Sequence, residues 1–326
     1  MEKTSNNSLG KLKEFFSRTV KDYSIIYILL VLIILLSFSS KYFLTSDNMI
    51  NVIRQASIFG ILAAGEFFII ISGMIDLSIG STAALAGIVF TIIYKAGGLA
   101  SMPVAIIGGL IVGIMVGFIN GFLTSRLRIV PFIATLGTML AVRGVDYMIT
   151  GAFPIIDLAK GFDFMGRGFL LGIPFPVIVM LAVYLIIIIF SEKKKTGRFF
   201  YAIGGNEEAS HLSGINVKNI KLLAYVVCGL MAAIGGIILM SRLGSGQPNA
   251  AISYEFQAII AVVLGGVSFS GGKGKALNVL FGTLFVAMLV NGMTLINIDS
   301  FTQQVIQGVV FIVAIWNDVA RNQTGR

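Results

Sequence analysis

Long apolar runs recur along almost the whole chain, and they constrain the fold more than any other feature of the sequence. The first, SIIYILLVLIILLSFSS, covers residues 24–40, and similar runs follow as far as residue 317. Hydrophobic residues make up 56% of the 326 residues and charged residues only 12%, against about a quarter charged in a soluble domain. Runs of about twenty residues match the thickness of a bilayer core, whereas a β-barrel would show alternating segments of about ten. The sequence therefore predicts an all-α, polytopic membrane helix bundle.

The boundaries of these runs give about ten transmembrane helices, within a range of eight to eleven. We expect the spans at 24–40, up to 72, up to 94, and then at about 102–123, 129–150, 175–190, 222–241, 254–270, 276–297 and 301–317. Ser46 or Asp47 would cap the second helix. The chain then divides into a basic cytoplasmic tail (1–23), a single transmembrane domain (24–318) and a short cytoplasmic tail (319–326).

The positive charges fall mostly on one side of this arrangement. With the N-terminus inside, 17 of the 24 Lys and Arg residues lie in cytoplasmic segments and six in external loops, while Arg143 lies within a span. This bias is the positive-inside pattern, and it accounts for the net charge of +9 without a nucleic-acid partner. Both termini are then cytoplasmic, and 191–221 is the longest cytoplasmic loop. A weak echo between GFINGFL (117–123) and LVNGMTL (289–295) leaves an inverted repeat open.

Residues that carry reaction chemistry are scarce. Cys228 is the only cysteine and His211 the only histidine, which excludes an intrachain disulfide and a cysteine- or histidine-rich metal site. The stretch GGKGK (271–275) lacks the spacing of a phosphate-binding loop, because Val267 stands where the first glycine is required. No Ser-His-Asp set, HExxH motif or pair of catalytic carboxylates is present. We therefore expect no catalytic residue, no metal site and no enzyme activity in this chain.

Charged side chains within the apolar runs need a reason, because each costs about 2.5–3.5 kcal/mol on insertion scales. Arg143 and Asp146 are three residues apart on one helix, so we expect a structural ion pair on a shared face. Glu66 lies in AAGEFFIIIS, and Asp76 lies in GMIDLSIGS (73–81) among glycines and serines. Two interpretations of this break stay open: a cytoplasmic turn between two spans, or a helix break that lines a translocation pathway.

The most polar internal stretch, YAIGGNEEASHLSGINVKNIK (201–221), lies in the predicted cytoplasmic loop. Asn206 is a favourable N-cap, Glu207 and Glu208 occupy a first turn where carboxylates suit the helix dipole, and Gly214 suits the C′ position. The pattern predicts a short capped helix. Such a helix is suited to being pushed by another protein; the alternative is an ordinary helix at the membrane interface.

Five segments together resemble the permease subunits of bacterial ABC sugar importers of the ribose/xylose/arabinose/galactose branch, and most strongly the ribose permeases. The resemblance covers about residues 40–318. It is carried by GMIDLSIGS (73–81), FIATLGTMLAVRGV (132–145), GRFFYAIGGNEEASHLSGINVKNIK (197–221), SGQPNAAISYEFQAIIAVVLGGVSFSGGKGK (245–275) and NGMTLINI with FTQQVIQGVV (291–310). Glu66 and the loop at 151–174 depart from the pattern.

The resemblance implies a function and its partners. The chain would be a multi-pass protein of the bacterial cytoplasmic (inner) membrane that translocates ribose or a similar monosaccharide into the cytoplasm. A cytoplasmic ABC ATPase, either single or a fused tandem protein, would bind ATP and Mg, so this chain would itself bind no cofactor. An extracytoplasmic sugar-binding protein would deliver the sugar, and a second permease copy would complete a homodimer or pseudo-dimer. The remaining contacts would be with membrane lipid and not with nucleic acid.

The resemblance also implies roles for residues. The coupling segment, which would dock into a groove of the ATPase, falls on Gly204, Gly205, Asn206, Glu207, Ala209 and Gly214. Among the acidic and basic residues nearby, Glu207 is expected to make the main contact. Sugar would enter at the dimer interface, where the candidate pathway residues are Asp76, Ser78 and Gly80.

An ion-coupled secondary transporter of a small polar solute is the alternative function. Glu66, Asp76 and the broken helix would serve such a mechanism. Dependence on an ATPase partner distinguishes the first function, and uptake that collapses with an uncoupler distinguishes the second. A membrane enzyme is a third and weaker alternative, because the sequence has no catalytic constellation.

Overall fold

The computed structural model describes residues 24–324, and the predicted basic tail at 1–23 lies outside the described residues. The described chain is largely helical. Helices α1 to α5 span Ser24–Ser39, Ser46–Ile71, Ile79–Gly97, Met102–Ser125 and Pro131–Thr150, and a 3-10 turn, Gly98–Ser101, joins α3 to α4. A short helix α6, Phe164–Arg167, precedes an antiparallel hairpin of β1, Phe169–Leu170, and β2, Ile173–Pro174.

The second half of the chain holds seven more helices in the described range. They are α7, Phe175–Lys193; α8, Lys195–Gly205; α9, Glu207–Leu212; α10, Val217–Leu243; α11, Tyr254–Leu264; α12, Ala276–Leu295; and α13, Ser300–Thr324. Seven apolar helical segments of the described chain are long enough to cross a membrane, and one of them, 79–125, contains both α3 and α4. Two shorter apolar helices, 25–39 and 254–264, accompany them. The chain is therefore a multi-pass helical membrane protein.

Helices α2 and α10 form the centre of the bundle. Every residue of α2 from Ala56 to Ile71 is buried, as expected of a helix that is surrounded on all sides. Helix α4 packs tightly on α10 through glycines: a Cβ added at Gly113 would overlap the carbonyl oxygen of Gly229, and one at Gly117 would overlap that of Tyr225. Such close approach of two helix backbones is typical of glycine-rich helix faces in membrane proteins.

Most predicted spans match helices, with ends shifted by a few residues, but two local predictions were wrong. Helix α2 begins at Ser46, and its N-cap position is Thr45, whose extended backbone (φ −67°, ψ 146°) delays the helix; neither Ser46 nor Asp47 is the cap. The span predicted at 254–270 ends as a helix at Leu264. Gly266 follows in the left-handed conformation, φ +82°, which stops a helix at little cost.

Residues 244–253, between α10 and α11, run into the bundle, although the predicted spans at 222–241 and 254–270 leave them as a loop between two membrane crossings. Gly246 packs against Thr91 near the end of α3, whereas Ala251 packs against Gly80 near its beginning. These two points are 11 residues apart, which is about 16 Å of helix axis. The chain therefore descends beside α3 into the bundle in hydrogen-bonded turns rather than as a helix. We call residues 244–253 the re-entrant segment.

Candidate functional site: a capped helical segment and the breaks it contacts

The predicted coupling segment, residues 204–214, contains the short helix α9, which is fixed at both ends. Asn206 caps it as predicted, because its Oδ1 accepts a hydrogen bond of 2.8 Å from the Ala209 N–H. At the other end Gly214 adopts the left-handed conformation, φ +81°, and the N–H of Ile215 donates to the Ser210 carbonyl at 3.1 Å. A six-residue helix is unstable alone, so these caps and its tertiary contacts hold it in place. The predicted capping at both ends is confirmed.

The outer side of α9 is open to solvent. Glu207, Glu208 and His211 are exposed, and only Ser210 of this helix is buried. Leu212 is 81% exposed although it sits at the end of a helix that is otherwise polar. Sequence analysis did not single out Leu212, because one apolar residue before a C-cap is ordinary; its exposure on α9 is a tertiary fact.

Glu207 already has a partner within the chain. Its Oε2 lies 2.6 Å from Nζ of Lys221 on α10. With the Glu207 side chain 57% exposed, the pair stabilises the fold only slightly, but it orients α9 against the start of α10. The expectation that Glu207 makes the main outward contact stays a prediction, and Glu208 and Leu212 are further candidates for such a contact.

A groove of about 900 Å³ separates α9 from the turn between α4 and α5. Its lining carries charges of both signs: Glu207 and Glu208 are acidic, and Arg128, Lys218 and Lys221 are basic. Charged groups of both signs on an exposed surface suit contact with another protein better than with a small neutral solute. We call this the cytoplasmic groove, after the side of the membrane on which the sequence predicts it to lie.

The base of the predicted coupling segment touches two other parts of the chain through glycines. A Cβ added at Gly204 would overlap the carbonyl oxygen of Ile71, the last residue of α2, and would lie 2.5 Å from the nitrogen of Gly272. The Gly272 N–H donates to the same Ile71 carbonyl at 2.8 Å. The residue before Gly272, Gly271, packs against Gly73. We call these four glycines the glycine joint; it brings the coupling segment, the end of α2 and the turn before α12 into backbone contact.

Asp76 and Ser78 lie in a buried polar cluster at the break between α2 and α3. Ser78 donates from its N–H and its Oγ to Asp76 Oδ1, at 2.8 and 2.7 Å, and Asn120 donates to Ser78 Oγ at 2.7 Å. Glu66 Oε1 accepts from the Asp76 N–H at 3.2 Å, and the Cys228 thiol lies 3.8 Å from Glu66 Oε2. All five side chains are at most 2% exposed. These hydrogen bonds account for how polar groups are tolerated at this depth.

The three predicted pathway residues do not share one surface of the chain. Asp76 and Ser78 contact each other inside the cluster, whereas an added Cβ at Gly80 would lie 2.6 Å from the Ala251 carbonyl and 2.5 Å from Glu255 Oε2. Gly80 therefore lies against the re-entrant segment and the start of α11. The break itself is a turn at the glycine joint that folds back into the protein interior. A role of these three residues in a pathway stays a prediction.

Arg143 binds the re-entrant segment. Its Nη1 donates to the carbonyls of Pro248 and Ala250 at 2.8 and 2.9 Å, and lies 3.7 Å from Asp146 Oδ2. Asp146 is fully buried, and its carboxylate oxygens accept no hydrogen bond within the described chain. The expected pairing partner is thus present, but the shortest contacts of Arg143 satisfy carbonyls that a non-helical segment leaves free at membrane depth. Sequence reasoning could not show these contacts, which join residues more than a hundred positions apart.

No group of three or more His, Cys, Asp or Glu side chains that could hold a metal ion occurs within the described residues. The candidate functional features of the described chain are the coupling segment with its cytoplasmic groove, the glycine joint, the buried cluster and the re-entrant segment.

Comparison with known proteins gives this arrangement a family. Residues 48–315 match the family described as the permease component of the branched-chain amino acid transport system. The ribose import permease protein of Bacillus subtilis (strain 168) is 43% identical over 292 residues, 89% of this chain and 90% of that protein. The ribose import permease protein of Escherichia coli (strain K12) is 40% identical over 294 residues, 89% and 91% of the two chains.

Relatives of lower identity are named for the transport of other sugars. The D-allose transport system permease protein of Escherichia coli (strain K12) is 36% identical over 294 residues, 90% of each chain. No solved structure matches the chain. Because the family match covers most of the described bundle, and the relatives align along nearly their whole length, the chain belongs to the transport permease family of the branched-chain amino acid transport system permease component.

Proposed function

We propose that the chain is the membrane-spanning permease subunit of an ATP-binding-cassette importer that carries ribose or a similar monosaccharide across the bacterial inner membrane. The identity of 43% to a ribose import permease over nearly the whole chain is the observation that carries this proposal. The relatives that transport allose and arabinose place monosaccharides, rather than one particular sugar, within its range. ATP and Mg would be bound and used by a separate cytoplasmic ATPase, single or fused in tandem, and not by this chain.

In this proposal the chain crosses the membrane ten times: through α1 to α5, α7 and α10, through the re-entrant segment together with α11, and through α12 and α13. Both termini lie in the cytoplasm, which keeps most Lys and Arg residues inside. Residues 24–318 form the single transmembrane domain, with α13 continuing as a helix into the C-terminal tail up to Thr324. An inverted repeat and a second copy of the permease, in a homodimer or pseudo-dimer, remain parts of the proposal.

The coupling segment is the proposed contact with the ATPase. It is rigid at its base because of the glycine joint and exposed at its tip, where Glu208 and Leu212 are available. The cytoplasmic groove beside it offers both signs of charge to the same partner. A permease has no energy source of its own, so its two states must be biased by contacts that differ between them. Closure of the ATPase on ATP would move α9, and sugar released by an extracytoplasmic binding protein would enter from the other side.

The docking surface is tested by purification of the permease with its ATPase. Burying one leucine side chain is worth about 2 kcal/mol, or about thirtyfold in affinity, so Leu212→Asp should lose the ATPase during purification. Leu171→Asp is the matched control, because Leu171 is 93% exposed in the β1–β2 hairpin, on the opposite side in the proposed topology. Equal retention of the ATPase by both variants would remove α9 from the interface.

Transport is tested in proteoliposomes that contain permease, ATPase and binding protein. We expect ribose uptake that requires ATP and the binding protein and that persists in the presence of a proton uncoupler. Uptake without ATP that collapses on addition of the uncoupler would instead support an ion-coupled secondary transporter, in which the buried Glu66 and Asp76 would be the first residues to examine.

A further inference from the structure

A second groove, of about 250 Å³, lies between the start of α11 and α13. It is lined by Ser253, Phe256, Gln304, Gln307, Gly308 and Phe311. We call it the α11–α13 groove. None of these residues is charged, in contrast to the mixed charges of the cytoplasmic groove. Its volume is at the small end for ligand sites, since drug-sized molecules occupy cavities of about 300–1,000 Å³.

The lining combines amides with aromatic rings. Gln304 and Gln307 each offer a group that both donates and accepts hydrogen bonds, and the Ser253 hydroxyl adds a third polar group. The rings of Phe256 and Phe311 pack edge to face, with centroids 5.8 Å apart. Amides match sugar hydroxyls and ring faces match sugar C–H groups. A zwitterionic amino acid, by contrast, would leave both its charges unpaired in such a groove.

The amide of Gln307 is held in place by a buried neighbouring side chain. Gln257, which is 6% exposed, donates from Nε2 to Gln307 Oε1 at 3.0 Å. This contact occupies the carbonyl of Gln307 and orients its NH₂ group. The other oxygen of the pair, Gln257 Oε1, is buried and accepts no hydrogen bond within the described chain. A buried acceptor without a donor is costly, and this one belongs to the side chain that orients Gln307 of the groove lining.

The groove lies where the chain is broken at depth. Gln304 and Gln307 follow the start of α13 by four and seven residues, which is about 6 and 10 Å along the helix. The re-entrant segment ends at the groove, and both Ala251 (φ 56°) and Ser253 (φ 67°) hold left-handed backbone that non-glycine residues rarely adopt. Strain of this kind concentrates at ligand and switch sites. Transporter substrate sites are often found near the midplane, beside helices interrupted in this way.

We propose that the α11–α13 groove is a subsite for a neutral monosaccharide in the translocation pathway, with Gln304 and Gln307 as its hydrogen-bonding residues. This inference rests on the proposed sugar import and deepens it. It assigns substrate contact to residues other than Asp76 and Ser78, which lie inside the buried cluster. Gly80 packs on the re-entrant segment, which ends at the groove.

The first experiment compares three glutamine variants in proteoliposomes with ATPase and binding protein. Gln304→Leu and Gln307→Leu each remove one amide from the groove. Gln303→Leu is the matched control, because the Gln303 amide donates outside the groove, to the Ile298 carbonyl. One neutral hydrogen bond contributes about 0.5–1.5 kcal/mol, so ribose taken up per ATP hydrolysed should fall about two- to tenfold in the groove variants and stay near wild type in the control.

The second experiment detects occupancy directly and does not depend on transport. Gly308→Cys puts a thiol into open space at the groove, since an added Cβ there meets no atom within 4 Å. The only native cysteine, Cys228, is buried, so the wild-type protein measures background labelling by a methanethiosulfonate reagent. We expect ribose to slow labelling of Gly308→Cys, and sucrose or leucine at equal concentration to leave its rate unchanged.

The possible outcomes test the proposed subsite and the proposed function separately. Absence of ATP-dependent ribose uptake by the wild-type complex would overturn the proposed function. Normal wild-type uptake with all three glutamine variants alike, or labelling that ribose does not slow, would overturn the subsite while leaving the function intact. If leucine slows labelling and ribose does not, the substrate class is wrong. If Gln307→Leu fails to fold because Gln257 loses its partner, Gln304→Leu decides, since Gln304 is exposed and belongs to no buried pair.

Discussion

Replacing Gly204 by alanine should uncouple ATP hydrolysis from transport, and replacing its neighbour Gly205 should not. The two glycines are adjacent at the end of α8 and neither has a positive φ. They differ in their surroundings: an added Cβ at Gly204 would overlap the Ile71 carbonyl and lie 2.5 Å from the Gly272 nitrogen, whereas one at Gly205 would meet nothing within 4 Å. The pair therefore isolates the glycine joint from general effects of helix propensity.

The size of the effect follows from the atoms in contact. Nonbonded heavy atoms prefer separations of about 3.5 Å, so the joint must open by more than about 1 Å to admit the methyl group of Gly204→Ala. Both obstructing atoms are backbone, so no rotamer change relieves the clash. Overpacking costs about 1–3 kcal/mol, and loss of the 2.8 Å hydrogen bond from Gly272 to Ile71 adds about 1 kcal/mol. We therefore expect Gly204→Ala to destabilise the joint by about 2–4 kcal/mol, whereas Gly205→Ala should slightly stabilise the helix.

The assay measures ribose uptake and binding-protein-stimulated ATP hydrolysis in the same proteoliposomes, with thermal stability in detergent as a separate measurement. A loss of 1.4 kcal/mol in coupling is tenfold, so uptake per ATP should fall at least about tenfold in Gly204→Ala. Uptake in Gly205→Ala should stay within twofold of wild type. Equal coupling and equal stability of the two variants would refute the view that the joint transmits the movement of the coupling segment.

Three further predictions concern the fold around these sites. Gly113→Ala should lower stability by about 1–3 kcal/mol because its Cβ meets the backbone of α10, while Gly144→Ala, which has open space, should be neutral in the same thermal unfolding experiment. Arg143→Gln should lower the free energy of unfolding by about 3 kcal/mol, because it leaves the buried Asp146 carboxylate without its cation. Adding Asp146→Asn should recover part of that loss. Hydrogen bonds from the Thr302 hydroxyl and N–H hold the pKa of the exposed Asp299 carboxyl below its usual value. The Asp299 cap therefore stabilises the start of α13 at pH values above the ordinary aspartate pKa, and this stabilisation is lost as the pH falls through the lowered pKa. Amide hydrogen exchange at Thr302 should accelerate over that pH range, and Asp299→Asn should remove this pH dependence.

The sequence was informative wherever the determining forces are local. Apolar runs located most of the membrane-capable helices because the bilayer requires that length of apolar chain. The caps at Asn206 and Gly214 were predictable because each acts on backbone within a few residues. Helix α8 was missed: TGRFFYAIGG has two glycines at its end and no helix cap. It forms because Phe200 and Ile203, one turn apart, are buried in the core, which is a tertiary effect.

The re-entrant segment could not be predicted, for a different reason. SGQPNAAISY is polar and rich in turn-forming residues, as an external loop would be. What draws it into the bundle are partners distant in the sequence, namely the guanidinium of Arg143 and the small surface at Gly80. The sequence did show that Arg143 needed a reason to lie in a span, but it supplied only the nearest acid, Asp146, as a partner.

Helix α11 connects the two functional regions of this molecule. It begins at the α11–α13 groove and ends at Leu264, and the turn that follows it carries Gly271 and Gly272 of the glycine joint. Its 11 residues span about 16 Å, so a displacement at the joint has only one short helix to cross before it reaches the groove. Coupling requires an element with two arrangements that both sites bias. The strained residues at the start of α11 and the glycines after its end permit such an element to move as a rigid body, because backbone rotation is available at both of its ends.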